Sequence, residues 1–181
     1  MATTIENLKT AIIGESTACA KYAAFASKAA QEGYPQIQKL FEAASMAERI
    51  HASNHTKALV KMGESPICYE MNFTVGTTAE NLKEAIAGET YEFDQMYPPM
   101  IEQAKAEDAK DAVRSMTWAL EVEKQHEKLY SAALAQLESG EKPSLPAKYY
   151  VCPLCGGTFA EGEVPAKCTV CGVPQEKFIA F

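Results

Sequence analysis

Apolar residues recur at three- and four-residue spacing along most of the chain up to residue 138, in stretches rich in Ala, Glu, Lys, Gln, Leu and Met. This is the period of an amphipathic helix, and these residue types are strong helix formers. The pattern predicts helices at residues 4–32, 36–62, 78–105 and 108–138, with a longer connection at 63–77. Helices of about 28 residues are about 42 Å long at 1.5 Å per residue. The pattern therefore predicts an all-α four-helix bundle with a long crossover between two antiparallel pairs.

Capping residues and prolines set the expected helix boundaries. Thr3 or Thr4 and Thr77 or Thr78 precede acidic first turns, and they are the predicted N-caps of the first and third helices. Pro98-Pro99 falls inside the third helix, where proline removes a backbone donor and clashes with the preceding turn. We therefore expect a kink or a local break in the third helix.

The two predicted helix pairs are related by an internal repeat. Residues 6–15 read ENLKTAIIGE and residues 80–89 read ENLKEAIAGE, an offset of 89 − 15 = 74. The second helix of each pair carries a Glu-x-x-His sequence, at Glu48–His51 and Glu123–His126, and here the offset is 123 − 48 = 75. Such a repeat indicates that the bundle is built from two copies of one helical hairpin.

The composition changes after Gly140. Residues 141–148 contain two prolines and few apolar side chains, and beyond them Gly and Pro appear every few residues. We therefore predict a bundle domain at 1–140, a linker at 141–148 and a small second domain at 149–181.

The repeated Glu-x-x-His sequences predict a pair of iron ions inside the bundle. Residues three apart lie on one face of a helix, so each sequence presents a carboxylate and an imidazole to the same point. Each copy is matched by a glutamate on the preceding helix, 48 − 15 = 33 and 123 − 89 = 34 residues upstream. This is the ligand arrangement of di-iron bundle proteins. The predicted ligands are Glu15, Glu48, His51, Glu89, Glu123 and His126.

The alternative to ligation is an ordinary solvated helix face. A single Glu-x-x-His sequence on an exposed helix is common and usually has that explanation. Two copies in register, each with the same upstream glutamate, favour ligation instead.

Glu92 offers a fifth carboxylate to the same site. It lies three residues after Glu89, whereas the corresponding position after Glu15 is Ala18. With neutral histidines the five carboxylates carry a charge of −5, which leaves −1 with a diferrous pair and +1 with a diferric pair. We therefore expect Glu92 to favour the oxidised pair, with a solvated side chain as the alternative.

Four of the six cysteines form two Cys-x-x-Cys-Gly turns in the second domain. They are Cys152, Cys155, Cys168 and Cys171, and 12 residues separate the two turns. Four thiolates on two tight turns make a tetrahedral metal site, which a domain this small needs in order to fold. Spacing alone allows structural zinc as well as iron. A redox di-iron site in the same chain favours iron, because a tetrathiolate iron supplies electrons and zinc does not.

Charge and hydropathy narrow the partners and the compartment. The net charge is −7, with 24 acidic and 17 basic residues spread along the chain, so no basic stripe is offered to nucleic acid or to an anionic membrane. No apolar run approaches the roughly 20 residues of a bilayer span, and no leader sequence follows Met1. Cysteines grouped for metal binding indicate a reducing compartment. We therefore expect a cytoplasmic protein that binds neither nucleic acid nor membrane.

The whole chain resembles the rubrerythrins, in which a ferritin-like bundle precedes a rubredoxin-like domain. The resemblance rests on the helix glutamates, both Glu-x-x-His sequences, the Glu89–Glu92 segment (ETYE) and the paired cysteine turns. It implies a non-haem peroxidase that reduces hydrogen peroxide to water at a di-iron site. It also implies that an NAD(P)H-linked reductase or a rubredoxin supplies electrons to the tetrathiolate iron.

The same resemblance implies details of assembly and chemistry. They are a homodimer in which the second-domain iron lies near the partner's di-iron site, and an iron that exchanges His51 for Glu92 as its oxidation state changes. A ferroxidase or iron-storage protein is the first competing function, since it uses the same bundle without needing the second domain. A zinc-knuckle interaction module without redox activity is the second.

Tyr22 and Tyr97 are the candidate catalytic residues beside the metals. They lie two helical turns after Glu15 and Glu89, where a hydroxyl can donate a hydrogen bond to a ligating carboxylate or to bound peroxide. Buried aromatic residues with satisfied hydroxyls are the alternative. His55 follows His51 by one turn, but its repeat partner is a tyrosine, so we expect it at the surface or outside the ligand set.

Overall fold

The computed structural model describes residues 2–140 and 143–181. Its helices confirm the predicted bundle, with ends within two residues of those expected except where the third helix is interrupted. They are α1 Thr4–Gln31, α2 Pro35–Lys61, α3 Thr78–Tyr91, α4 Tyr97–Ala106 and α5 Lys110–Glu138. A π-helical segment, Glu92–Met96, joins α3 to α4. Among the described residues, no helix combines the length and the hydrophobicity that a bilayer crossing requires.

The two repeated helices begin with the same cap. The Thr3 hydroxyl accepts from the Glu6 amide, the Glu6 carboxylate accepts from the Thr3 amide, and Thr77 and Glu80 do the same at the start of α3. These are capping boxes, which satisfy backbone donors that a helix start leaves unpaired. They resolve the predicted alternatives in favour of Thr3 and Thr77.

The break in the third helix is a single π turn. The Tyr97 amide donates to the Glu92 carbonyl five residues earlier, which accommodates one extra residue just before the two prolines. The repeat offset records this insertion, because it is 89 − 15 = 74 at the glutamates and 97 − 22 = 75 at the tyrosines. The π turn therefore keeps Tyr97 in phase with Tyr22 despite the added residue.

The bundle has two apolar core regions with a polar layer between them. α1 packs on α2, α3 and α4 pack on α5, and α2 packs on α5 across the pairs. One core region contains the aromatic rings of Tyr22, Phe25, Phe41 and Tyr130. The other is built from the first turns of α1, the end of α2, α4 and the start of α5. The six ligands predicted from the repeat fall between these regions, on α1, α2, α3 and α5.

The second domain is a small antiparallel sheet beside the bundle. Its strands are β1 Tyr149–Val151, β2 Thr158–Ala160 and β3 Ile179–Ala180, in the order β2-β1-β3. β1 lies against α2, and β2 lies against both α2 and α5. Of the predicted linker, residues 141 and 142 lie outside the described residues.

Candidate metal centres

Six buried side chains converge in the polar layer as two overlapping groups of ligands. The first group is Glu15, Glu48, His51 and Glu123, and the second is Glu48, Glu89, Glu123 and His126. Within each group, one ligand atom per residue lies within 4.8 Å of every other. Because Glu48 and Glu123 belong to both groups, the arrangement is that of two adjacent ions bridged by two carboxylates.

The two histidines aim the same ring nitrogen at this point. His51 Nδ1 lies 2.8 Å from Glu48 Oε2 and 2.9 Å from Glu123 Oε1. His126 Nδ1 lies 3.0 Å from Glu123 Oε2 and 3.2 Å from Glu48 Oε1. Neighbouring ligands at right angles around an ion, each about 2.1 Å from it, are about 3 Å apart. The spacing therefore suits shared coordination.

The hydrogen bonds of the site leave several of the atoms that face a metal without partners. Among the described residues, buried Glu15 Oε2, Glu123 Oε1, His51 Nδ1 and both Glu48 oxygens make no hydrogen bond. Each such group costs roughly 1–3 kcal/mol when it is buried unsatisfied. Divalent or trivalent cations would satisfy all of them at once. The donor set of carboxylate oxygens and imidazole nitrogens also suits iron, so the residues fit a di-iron pair.

The pKa shifts of the buried carboxylates also fit a metal site. Burial, followed by the nearby Glu123 carboxylate, raises the pKa of Glu48 to about 7. Burial is also the largest cause that holds the pKa values of Glu89 and Glu92 well above their ordinary range. Burial opposes ionisation of Glu15 too, but the adjacent His51 ring lowers its pKa. So many acidic groups in one dry interior require protons or metal ions to balance them.

Glu92 lies beside this cluster but outside both ligand groups. As the first residue of the π turn, it is partly buried, and its Oε1 lies 4.0 Å from the position that a Cβ on Gly14 would occupy. The glycine on α1 therefore leaves space above the carboxylate of Glu92. The structure places Glu92 next to the predicted ligands without bringing it into either group.

The two candidate tyrosines bind carboxylates across the repeat. The Tyr22 hydroxyl on α1 donates to Glu89 Oε1 on α3 over 2.7 Å, and the Tyr97 hydroxyl on α4 donates to Glu15 Oε1 on α1. Each tyrosine thus orients the unshared glutamate of the opposite half, as partners of metal ligands commonly do.

His55 is buried and lies outside both ligand groups, so of its two expected placements the surface is excluded and the one outside the ligand set fits. Its side chain is fully buried, Nε2 lies 3.1 Å from the Tyr97 hydroxyl oxygen and Nδ1 lies 3.0 Å from Ser115 Oγ. The repeat hid this role, because the equivalent residue of the other half is Tyr130. The sequence signal for this contact was a second histidine one helical turn after a predicted ligand, on the same face of α2.

The four predicted thiolates come together in the second domain. Sγ of Cys152 lies 3.4 Å from Sγ of Cys171, the same distance separates Sγ of Cys155 from Sγ of Cys168, and none of the four forms a disulfide. The Gly157 amide donates to Cys155 Sγ over 3.4 Å, as is typical of thiolates held by tight turns. Four sulfurs within bonding range of one point fit a tetrahedral iron or zinc ion.

The cysteine domain also contacts, through hydrogen bonds, both predicted metal-binding histidines of the bundle in the same chain. His51 Nε2 lies 3.0 Å from the Cys155 carbonyl oxygen, and His126 Nε2 lies 3.0 Å from Thr158 Oγ1, which itself donates to the Gly156 carbonyl. Both acceptors require a proton on Nε2, so in each neutral ring Nδ1 presents its lone pair to the carboxylates. The residues of these turns were not predicted to have this role, because spacing does not reveal contacts between domains.

This contact lies within one chain, so the expectation that the cysteine cluster lies near a partner's di-iron site stays a prediction. In this chain it lies against its own bundle. The reach of the chain allows this, because His126 is 138 − 126 = 12 residues before the end of α5, or about 18 Å along the helix. The ten residues from 139 to 148 span up to about 33 Å when extended, which is enough to return to that level.

Known proteins share this organisation along the whole chain. The family model described as Rubrerythrin matches residues 6–134, and the model for the rubrerythrin rubredoxin-like domain matches residues 150–179. Rubrerythrin-2 of Clostridium acetobutylicum is 36% identical over 181 residues, covering 99% of this chain and 97% of that protein. Nigerythrin of Nitratidesulfovibrio vulgaris is 37% identical over 182 residues, covering 98% and 86%.

Solved structures agree. Nigerythrin in its fully reduced, all-ferrous state superposes with a TM-score of 0.88 at 36% identity, covering 100% of this chain and 88% of that one. An open-pore ferritin from the archaeon Archaeoglobus fulgidus superposes with a TM-score of 0.67 at 15% identity, which shows the ferritin-like fold alone. The carboxylate–histidine cluster and the four-cysteine turns fit the iron cofactors of this group of proteins. With its bundle matched over residues 6–134 and its cysteine domain over residues 150–179, this chain belongs to the rubrerythrin family.

Proposed function

We propose that this chain is a non-haem di-iron peroxidase that reduces hydrogen peroxide to water in defence against oxidative stress. The observation that carries the proposal is the direct hydrogen bond between a predicted thiolate ligand and a predicted di-iron ligand, Cys155 and His51. A storage protein has no need of such a link. In an electron relay it would provide a short path between the two iron sites.

The ligand groups assign roles to the residues. Glu48 and Glu123 would bridge two iron ions, Glu15 and His51 would complete one ion, and Glu89 and His126 the other. When bound, a diferrous pair supplies one electron from each iron, so that H₂O₂, two electrons and two protons give two water molecules. Tyr22 and Tyr97 hold Glu89 and Glu15 in position and present hydroxyl protons at the edge of the site. Glu92 would offer a further carboxylate to the ion that Glu15 and His51 hold, since its carboxylate lies beside this group.

Electrons would reach the pair inside one chain. The path begins at Cys155 Sγ and follows covalent bonds to the Cys155 carbonyl oxygen. It then crosses the hydrogen bond to His51 Nε2 and continues through the ring to Nδ1. An NAD(P)H-linked reductase or a rubredoxin would deliver electrons to the tetrathiolate iron one at a time. The homodimer and the cytoplasmic location stay predictions.

Replacing Gly156 with Ala is expected to weaken this electron path. A Cβ at Gly156 would lie 2.5 Å from His51 Nε2 and 3.3 Å from the Ala47 Cβ, so the cysteine turn must move away from His51. Reduction of the di-iron pair by the tetrathiolate iron should slow by about tenfold or more, since a misplacement of about 1 Å is enough for effects of this size. Stopped-flow absorption of the tetrathiolate iron measures that rate.

Gly172→Ala is the matched control for Gly156→Ala. Both glycines follow the last cysteine of their turn with a positive φ, +84° and +80°, but nothing lies within 4 Å of a Cβ at Gly172. Both variants therefore carry the same backbone strain of about 1–2 kcal/mol, and only one carries the clash. Equal rates in the two variants would contradict the path through His51.

Anaerobic titration of the iron-loaded chain tests the proposed function. The fully reduced protein holds three electrons, two at the di-iron pair and one at the tetrathiolate iron, so its complete oxidation should consume 3 / 2 = 1.5 equivalents of H₂O₂ per chain and release water. A ferroxidase would instead consume added Fe²⁺ with dioxygen and retain many iron ions per chain. A zinc-knuckle module would contain zinc at the cysteines and show no reaction with peroxide. Either result would reject the peroxidase.

A further inference from the structure

The two halves of the repeat differ in whether hydrogen bonds continue beyond the tyrosine that contacts a predicted ligand. In the second half, Tyr97 is joined to His55 and then to Ser115 by hydrogen bonds of 3.1 and 3.0 Å. Next to Tyr22 of the first half lies Tyr130, the second-half residue equivalent to His55, whose hydroxyl has no hydrogen-bond partner within the described part of the chain. The ring of Tyr130 is enclosed by those of Tyr22 and Phe41, at centroid distances of 5.6 and 5.1 Å.

The directions of the two inner hydrogen bonds in the Tyr97 chain follow from the proton on the Tyr97 hydroxyl. The Tyr97 hydroxyl has one proton and donates it to Glu15, so its oxygen accepts from His55 and Nε2 must carry a proton. In a neutral ring Nδ1 is then an acceptor. The Ser115 hydroxyl has one proton and two acceptors within reach, Nδ1 at 3.0 Å and the Ala112 carbonyl oxygen at 3.2 Å. When this hydroxyl turns to Nδ1, all three bonds point the same way, from Ser115 through His55 and Tyr97 to Glu15.

The outer end of this chain reaches the surface. Ser115 is 5% exposed and lines a cavity of about 170 Å³ between α2 and α5. The exposed side chains of Lys57, Lys61 and Arg114 share that cavity, so its mouth is polar and open to water. The inner end is a carboxylate of the predicted di-iron site.

We propose that Ser115, His55 and Tyr97 form a proton path from this surface cavity to the Glu15 side of the di-iron site, and that the Tyr22 side has no such path. The inference rests on the proposed peroxidase function, which consumes two protons for each H₂O₂. For each proton, Tyr97 releases its hydroxyl proton inward and takes one from His55 Nε2. His55 regains a proton at Nδ1 from Ser115, which is resupplied by water in the cavity. The ring is then the Nδ1–H tautomer, so it must convert back to the Nε2–H tautomer before the next proton passes.

His55→Gln separates proton transfer from positioning. A glutamine amide can donate to the Tyr97 oxygen and accept from Ser115, but it does not exchange protons between its two ends as an imidazole does. In a single turnover monitored by stopped-flow absorption, we expect H₂O₂ to oxidise the reduced iron-loaded protein about tenfold more slowly. This effect is modest for loss of a proton-transfer group. Iron content should stay at three per chain.

Tyr130→Phe is the matched control at the equivalent position of the other half. It removes a hydroxyl that has no hydrogen-bond partner among the described residues. The single-turnover rate should therefore stay within about twofold of the unmodified chain, because no proton-transfer group is lost.

The protonation of His55 provides a readout that is independent of turnover. In zinc-loaded protein with ¹⁵N-labelled histidine, the His55 ring signals are identified by their loss in His55→Gln. They should report a neutral ring with the proton on Nε2, and Ser115→Ala should shift the Nδ1 signal. Tyr130→Phe should leave both signals in place.

The outcomes distinguish the proton path from the peroxidase itself. A slower His55→Gln beside an unchanged Tyr130→Phe, with the proton on Nε2, supports the path. A proton on Nδ1, or equal rates in the two variants while the unmodified chain reacts, overturns the path and leaves the peroxidase standing. Failure of the unmodified reduced chain to react with H₂O₂ overturns both.

Discussion

Replacing Glu48 with Gln is expected to remove the di-iron pair and, with it, peroxide reduction. Glu48 belongs to both ligand groups, so the change takes one oxygen ligand from each ion, whereas loss of Glu15 or Glu89 affects one ion. Replacing groups that merely orient a ligand already costs 10- to 100-fold, so we expect at least about a 100-fold loss of turnover. Iron content should fall from three ions per chain toward the single tetrathiolate iron, as measured by metal analysis beside peroxide consumption.

This loss should not come from misfolding. Burial and Glu123 raise the pKa of Glu48 from its ordinary value to about 7, so the metal-free fold favours the neutral side chain. That contribution to stability is fully present below pH 4.5 and is lost as the pH rises through 7. Glutamine stays neutral, so metal-free Glu48→Gln should unfold at the same temperature as the unmodified metal-free chain at pH 6, or higher, and the difference should grow at pH 8.

Glu121→Gln is the control on α5. Glu121 is exposed and forms only a surface ion pair with Lys124, 2.8 Å long, of a kind worth at most about 1 kcal/mol. Its iron content and turnover should match those of the unmodified chain. Full iron loading of Glu48→Gln would contradict the bridged arrangement.

The helices and the ligand groups could be predicted because local chemistry repeats in the sequence. Apolar periodicity, capping threonines and proline positions are properties of short segments, and they placed the helix ends closely. The spacing of each Glu-x-x-His sequence is fixed by helix geometry, and the duplicated upstream glutamate added an independent constraint. The structure brings all six of these residues together, and it brings the four cysteines together as well.

Features that depend on distant contacts were not predictable in the same way. The π turn is recorded in the change of repeat offset from 74 to 75, but the position of the extra residue depends on the prolines and on packing. The sequence left His55 undecided between the surface and a place outside the ligand set, because its repeat partner Tyr130 did not indicate a buried contact with Tyr97. The docking of the cysteine turns on His51 and His126 joins residues about a hundred and about thirty positions apart, and no spacing rule encodes such a contact.

Loss of the tetrathiolate iron is expected to abolish reductase-driven turnover while leaving the chemistry at the bundle. Cys168→Ser removes one of four thiolates from the group and lies on the turn that does not touch His51. With NADH and a rubredoxin reductase as the electron source, steady-state peroxide reduction should fall by at least about 100-fold, because the only redox ion of the second domain is lost. Cys68→Ser, at an exposed cysteine outside the group, should retain full turnover.

Zinc in place of the tetrathiolate iron makes this separation sharper, because it keeps the cysteine turns folded against His51 and His126. Zinc binds the four thiolates in the same tetrahedral geometry, so the hydrogen bonds to both histidines should be preserved. It has no redox chemistry, so only electron transfer is removed. With iron in the bundle and zinc at the cysteines, chemically reduced protein should react with one equivalent of H₂O₂ at the rate of the all-iron protein, while NADH-driven turnover should be lost. NADH-driven turnover at the all-iron rate would show that electrons enter the di-iron pair without passing through Cys155 and His51, and the intrachain path would be rejected.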